Sequence, residues 1–310
     1  MLTTVQERTL VDLLGRDTPR PSFPATLPAR LTALIEDQTA QVLSSLREGE
    51  SVWISKTGLT DLHARCEGLY QARIMGESEF SLSLPLAVGN VVHRAIEADV
   101  VGARLPEPEL VGKAIDRLRR SDPRFDRFVQ TLDEIDTAWL ESEATRRLAL
   151  FRGTIPPLQK SWAPIPELRI KTELAGGRLT LSGSVDLSLF RPNEDAPLEA
   201  TRLFIELKTG SDRPEFVDDL RFYALVALLR FGVPPFRVAT LLLDDGSYHP
   251  EDVTEDVLEA AARRVAAAAV RHVELLGERE PVLRPGPWCR WCPRATECPE
   301  STAGLSATPA

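Results

Sequence analysis

The chain of 310 residues carries four cysteines: Cys66, and three in the run Cys289-Arg290-Trp291-Cys292-Pro293-Arg294-Ala295-Thr296-Glu297-Cys298. No other feature restricts the fold as much. If the four sulfurs meet, the region of residue 66 and the end of the chain must be neighbours. A C-x2-C-x5-C run with one distant partner and no cysteine left over has metal-ligand spacing. Four thiolates suit tetrahedral zinc and an iron–sulfur cluster equally well. The N-terminus, Met1-Leu2-Thr3-Thr4-Val5-Gln6-Glu7-Arg8, is not a basic-then-apolar leader. No stretch of roughly 18 apolar residues is present. The expectation is a cytoplasmic protein without a membrane partner. In that reducing compartment thiolates bind metal rather than pair as disulfides.

Hydrophobic spacing divides the rest. Residues 1–50 read as an N-terminal tail and helix. The first 26, rich in Pro, Thr and Arg, form a loose tail, and 27–48 form a helix with Leu27, Leu31, Leu34, Ile35, Val42 and Leu46 on one face. The main unit spans 51–300. It opens with the apolar run Val52-Trp53-Ile54. A helix from Thr57 then carries Leu59, Leu62, Cys66 and Tyr70. Another over 86–103 aligns Val88, Val92, Ile96 and Val100, with His93 beside them. Residues 103–163 form a charged helical insertion, broken at Asp122-Pro123 and Gly153. The period changes to two over 164–190. There Ile165, Leu168 and Ile170, and then Leu179, Leu181 and Val185, flank the hairpin signal Gly176-Gly177. Residues 203–208 make a third strand. Pro214 and Gly232 frame a helix over 214–231. Residues 238–243 make a buried strand, and an Ala-rich helix runs from Thr254 to Leu276, stopped by Gly277. Residues 288–299 carry the cysteine run, and 301–310 form a disordered tail. The order specifies an α/β fold, a mixed sheet with helical decoration.

In a strand, residues two apart share a face. Glu206 and Lys208 therefore project together with Phe204. An isolated E-x-K is ordinarily an exposed edge-strand ion pair, but three features argue otherwise. Asp186 ends the preceding strand and can lie beside Glu206, and converging carboxylates call for a cation such as Mg²⁺ or Mn²⁺. His93 supplies a further ligand type on a helix. Asp219 and Tyr223 are one turn apart on the helix after Lys208 and can both face the site. Such a set suits phosphodiester hydrolysis, with a cation polarising the phosphoryl oxygen and lysine offsetting charge. The net charge of −9 argues mildly against a nucleic-acid partner. Local basic clusters oppose it: Arg117, Arg119 and Arg120; Arg263 and Arg264; Arg284, Arg290 and Arg294.

These residues resemble the PD-(D/E)XK nuclease superfamily, and within it the RecB-like branch that includes AddB and the small CRISPR-associated nucleases with an iron–sulfur cluster. The likeness runs over 52–300. The branch's G-x-x-x-H helix matches Gly89 and His93, its G-x-x-D matches Gly183 and Asp186, and its (D/E)-x-K-T matches Glu206, Lys208 and Thr209. The resemblance implies a restriction-endonuclease-like sheet and a DNA nuclease dependent on Mg²⁺ or Mn²⁺, acting on ends or single strands. It implies metal ligation by His93, Asp186, Glu206 and the Leu207 carbonyl, with Lys208 as the catalytic lysine. It also turns the four cysteines towards a [4Fe–4S] cluster rather than zinc, shielded by Trp288, Trp291, Pro293 and Pro299. The branch's Q-L-x-x-Y motif reads Asp219-Leu220-Arg221-Phe222-Tyr223 here. Asp219 and Tyr223 are expected at the site's rim, positioning the DNA strand. Two other classes stay in view: a non-catalytic DNA-binding or adaptor subunit of a helicase–nuclease or CRISPR or other defence complex, and a zinc-stapled interaction protein. Gly112-Lys113-Ala114 lacks the glycines and the Ser/Thr of a phosphate-binding loop. Any motor would belong to a partner helicase.

Overall fold

The structure, a computed structural model, describes residues 1–77, 82–191, 193–210, 213, 215–277 and 279–301. The expected helix start at Pro214 and the expected tail beyond Ser301 lie outside the described residues. Among these, six strands form one mixed sheet: β1 (Val52–Ile54), β2 (Ile165–Leu174), β3 (Leu179–Phe190), β4 (Arg202–Lys208), β5 (Arg237–Leu242) and β6 (Tyr248–Asp252). Ten helices surround it: α1 (Thr4–Asp12), α2 (Leu27–Ser44), α3 (Lys56–His63), α4 (Glu67–Ile74), α5 (Leu84–Val100), α6 (Glu107–Ser121), α7 (Pro123–Val129), α8 (Glu134–Thr154), α9 (Glu215–Phe231) and α10 (Glu255–Leu276). The expected α/β architecture and the helical stretch between β1 and β2 are both present.

β3 organises the sheet. One edge pairs along its length with β2, from Leu174↔Leu179 to Ile165↔Ser188, closing the hairpin that Gly176-Gly177 signals. The other edge is shared. β1 runs parallel to its start, at Leu179 to Leu181, and β4 antiparallel to its end, at Leu187 to Phe190. Residues 182–186 lie between these partners, so the sheet forks there. β4 continues into parallel pairing with β5, which makes it an interior strand with both faces buried. α9 packs against β2, β3, β4 and β5, and α10 against α2, α9 and β1. α5 packs against α6, α8 and β2. The apolar side chains form one continuous core.

Three expectations are corrected and one strand is new. The first 26 residues are not a loose tail. Thr3 and Gln6 form a reciprocal capping box for α1, and Leu10, Leu13 and Phe23 are buried. α1 has nine residues, too short to show a period. The expected helix through Cys66 is two helices, because Cys66 itself is extended (φ −136°, ψ 128°) and caps α4. The helical face past Val100 stops short of residue 103, since Gly102 takes φ 105°. β6 has no counterpart in the sequence reading. It is an outer strand carrying Pro250, Glu251 and Asp252, residues that blunt a sheet edge and hide its period.

The break between α3 and α4 is held by a buried charge. Asp61 is fully buried and accepts bonds from Arg65 (3.2 Å) and from Arg73 on α4. Removing one member of a buried pair strands its partners. The two arginines here are partly exposed, so Asp61→Ala is expected to cost about 2 kcal/mol, read as a lower urea midpoint with an unchanged m-value.

Candidate active site

The fork at residues 182–186 is where the chemistry-bearing side chains gather. β4 supplies Glu206 and Lys208. Their shared face is confirmed by the bond from Lys208 Nζ to Glu206 Oε1 (2.9 Å). Glu206 is 2 % exposed, so the edge-strand reading fails. β3 supplies Asp186, whose Oδ2 accepts the Leu207 N–H at 2.7 Å. α5 supplies His93, with Nδ1 3.4 Å from Asp186 Oδ1 and 4.0 Å from Glu167 Oε1 of β2.

Two glycines explain the close approach. At Gly183 a Cβ would sit 2.3 Å from Cε1 of Tyr223, so the bare backbone of β3 is what admits the ring of α9. At Gly89 a Cβ would stand 3.2 Å from Thr209 Oγ1, so α5 lies tight against the end of β4.

Three participants were not legible in the sequence. Lys56, the first residue of α3, donates to Glu206 Oε1 beside Lys208 and lies over the Tyr223 ring, 5.2 Å from its centroid. Glu167 stands within reach of His93 at a strained backbone position, φ 49° in a strand. Thr60 donates to Asp219 Oδ1 (2.7 Å). The one available signal for Lys56 was its place directly after a short apolar strand and an N-cap serine, Ser55.

Among the described residues, His93, Glu167 and Asp186 are the trio whose ligand atoms lie within 4.8 Å of one another. Glu206, expected in that set, instead turns Oε1 to the two lysines, while its Oε2 is buried and without a hydrogen-bond partner. Asp219 and Tyr223 are buried, not at a rim. Asp219 Oδ2 is 4.0 Å from Lys208 Nζ, beneath the site. Helical phase predicted that both face inward but could not predict depth.

The electrostatics follow from this crowding. Burial, reinforced by the neighbouring Asp186 charge, pushes the Glu206 carboxyl upward, and the two lysines oppose the rise. Burial works against the charge on Lys56, yet Glu206 holds its ammonium above the usual lysine range. Burial likewise disfavours a charged His93, but Asp186 and Glu167 raise the ring to about 10. Burial also opposes the Asp186 charge, and His93, Lys56 and the Leu207 N–H together bring its carboxyl below the usual range. A proton on His93 thus occupies the place of a cation, and a bound cation would have to displace it.

The second constellation also assembles. All four cysteines line one cavity of about 520 Å³ with Gly68, Leu283 and Trp288. Cys66 Sγ accepts the Arg284 N–H and Cys289 Sγ the Gly286 N–H, each at 3.5 Å. Burial raises the Cys292 thiol, and the other three cysteines add to the rise. Of the expected shielding residues Trp288 and Pro299 line this cavity. Trp291, turned outward by the 3-10 turn Pro287–Trp291, is 51 % exposed, and Pro293 is exposed too.

Residues 60–299 match the family model of the PD-(D/E)XK nuclease superfamily. No curated protein matches the chain. Solved structures that match number 15 chains. One of them, described as the crystal structure of SSO0001, is 14 % identical, covering 86 % of this chain and 94 % of that one with a TM-score of 0.33. No helix among the described residues is long and apolar enough to cross a membrane.

The two close glycines should respond differently to one added methyl. Gly183→Ala drives a Cβ into a ring that cannot retreat and should destabilise by roughly 1–3 kcal/mol. Gly89→Ala meets a rotatable hydroxyl and should cost less. Thermal unfolding of both variants checks the order.

Proposed function

Because the chain belongs to the PD-(D/E)XK nuclease superfamily, whose members are in general metal-dependent nucleases, we propose that it hydrolyses DNA phosphodiester bonds with Mg²⁺ or Mn²⁺ at the fork of the sheet. The observation that carries this reading is the buried carboxylate of Glu206 with the half-buried Asp186 beside it, flanked by Lys56 and Lys208. A purely structural role does not account for it, since burying like charges is costly unless a cation or substrate uses them.

The residues fit a divalent cation. His93, Glu167 and Asp186 would hold it, and the unpartnered Oε2 of Glu206 offers a further oxygen. When bound, the cation would neutralise phosphoryl charge and lower the pKa of a coordinated water. The chain's own groups do the rest. The Leu207 N–H fixes the rotamer of Asp186. Lys208 lies next to the carboxylates and can offset charge on the phosphoryl oxygens as the bond to the leaving group lengthens. Lys56 and Lys208 share Glu206 Oε1 and both oppose the upward push on its carboxyl. Asp219, tied by Thr60, sets the reach of Lys208 from below. Tyr223 braces Lys56 rather than stacking on a base.

The cysteine cavity supports a [4Fe–4S] cluster with a structural role. Both N–H···S bonds suit thiolate ligands. Cys66, Cys289, Cys292 and Cys298 would join the α3–α4 corner to the chain's end.

Cleavage of end-labelled single-stranded and duplex DNA with Mg²⁺ or Mn²⁺ tests the activity. Asp186→Asn and Lys208→Met are each expected to lower the rate by about 10²-fold or more with folding intact. Near wild-type rates in both variants would overturn the assignment. For the second site, anaerobic preparation should give brown protein with stoichiometric iron and sulfide. Cys66→Ser should bleach it and lower its melting temperature. Stoichiometric zinc without iron would reject the cluster.

A further inference from the structure

A second cavity lies away from the acidic fork. It holds about 730 Å³ and is walled by the N-terminal segment, the 156–162 connection and the far ends of β3 and β4. Its lining includes Arg16, Arg20, Arg104, Lys160 and Arg191 and not one Asp or Glu. In a chain with a net charge of −9, that segregation is unusual. Arg104, Lys160 and Arg191 are exposed, with no carboxylate at ion-pair distance among the described residues. Arg16 has a surface pair with Glu7 at 3.1 Å.

Two features mark a built site rather than a solvated face. Arg104 takes φ 33°, a left-handed conformation that a non-glycine residue adopts at a cost, and the turn holds its side chain at the cavity wall. Arg20 is fixed by the Leu14 carbonyl (2.9 Å) and lies over the Phe236 ring, 3.8 Å from its centroid. Arg20 is crowded by Arg237 and Arg191, which together with burial depress its guanidinium, with Glu199 and Asp252 opposing. Arg104, Lys160 and Arg191, exposed and without an ion-pair partner among the described residues, would be stabilised by a bound polyanion.

We infer that this cavity binds the phosphate backbone of a single-stranded polynucleotide, as a second contact for a strand engaged at the fork. The apolar lining decides the class. Trp162, with half-buried Leu2, Leu14 and Leu158 in the same lining, offers an apolar face for unstacked bases, which an acidic peptide would not use. Leu203, at the cavity wall, is three residues from Glu206 along β4 and so faces the other side of the sheet. A strand engaged at the fork reaches the cavity only by passing around the sheet. The inference rests on the nuclease reading, and the test separates the two.

Fluorescein-labelled oligothymidylate is titrated with the full chain in EDTA, and anisotropy is followed at several salt concentrations. Cleavage of a long oligonucleotide and of a dinucleotide-sized phosphodiester is measured separately with Mn²⁺. Arg104→Glu/Lys160→Glu/Arg191→Glu should weaken binding by about tenfold or more. It should also flatten the log–log salt slope by about 2, as loss of three single-strand phosphate contacts requires. Turnover of the small substrate should stay unchanged. Lys160→Glu alone, on an exposed turn, should show a smaller loss of the same sign if the triple variant unfolds. Equal binding by wild type and variant, with cleavage retained, overturns the cavity assignment and leaves the nuclease reading standing. Absence of both binding and cleavage overturns both. Tight binding of polyglutamate that depends on the same three residues overturns the polynucleotide class.

Discussion

The rest of the structure depends on one buried charge. Glu206 sits on an interior strand with neighbours on both sides and both faces covered. An isolated carboxylate there would not stay ionised. Two ammonium groups answer it, and they come from different places. Lys208 arrives by the two-residue alternation of β4 itself. Lys56 arrives only because β1 ends short of the fork and hands the chain to α3. Strand order, the length of β1 and the start of α3 are thus coupled through a single carboxylate.

The same logic shows what the sequence could and could not reveal. Alternation alone places Glu206 and Lys208 on one face, and a hairpin signal alone places Asp186 on the adjoining strand. Gly183 and Gly89 stood in the sequence as motif letters, and the structure gives each a steric meaning. The four cysteines converge on one cavity as their spacing predicted. What escaped was set by tertiary packing. Lys56 and Glu167 carry no periodic signal, because a lone charged residue beside a short strand reads as surface. Asp219 and Tyr223 have the right helical phase, but phase fixes direction and not depth. Residues 1–26 hide their order because a nine-residue helix with one buried leucine and a capping box lies below the length at which a period is visible.

Charge is unevenly dealt across the molecule. Some acids are drawn into the fork and others into surface ion pairs such as Glu7 with Arg16 and Glu255 with Arg30. Arg16, Arg20, Arg104, Lys160 and Arg191 gather in one cavity at the far ends of β3 and β4 with no acid in its lining. A whole-chain charge therefore describes the exterior poorly. An acidic protein can present its few basic surfaces against a repelling background, which discourages polyanions from settling elsewhere.

The fork is assembled from parts far apart in the chain. The Lys56–Glu206 contact spans 150 residues, and the Thr60–Asp219 bond spans 159. Contacts of such separation form late, after the loops between them have closed. A chain emerging from the ribosome would have exposed β1, the helical stretch and the β2–β3 hairpin before β4 existed to receive Lys56. The acids and lysines are therefore harmless neighbours of solvent during synthesis. They come together only in the completed molecule, so the topology itself sets when the fork is assembled.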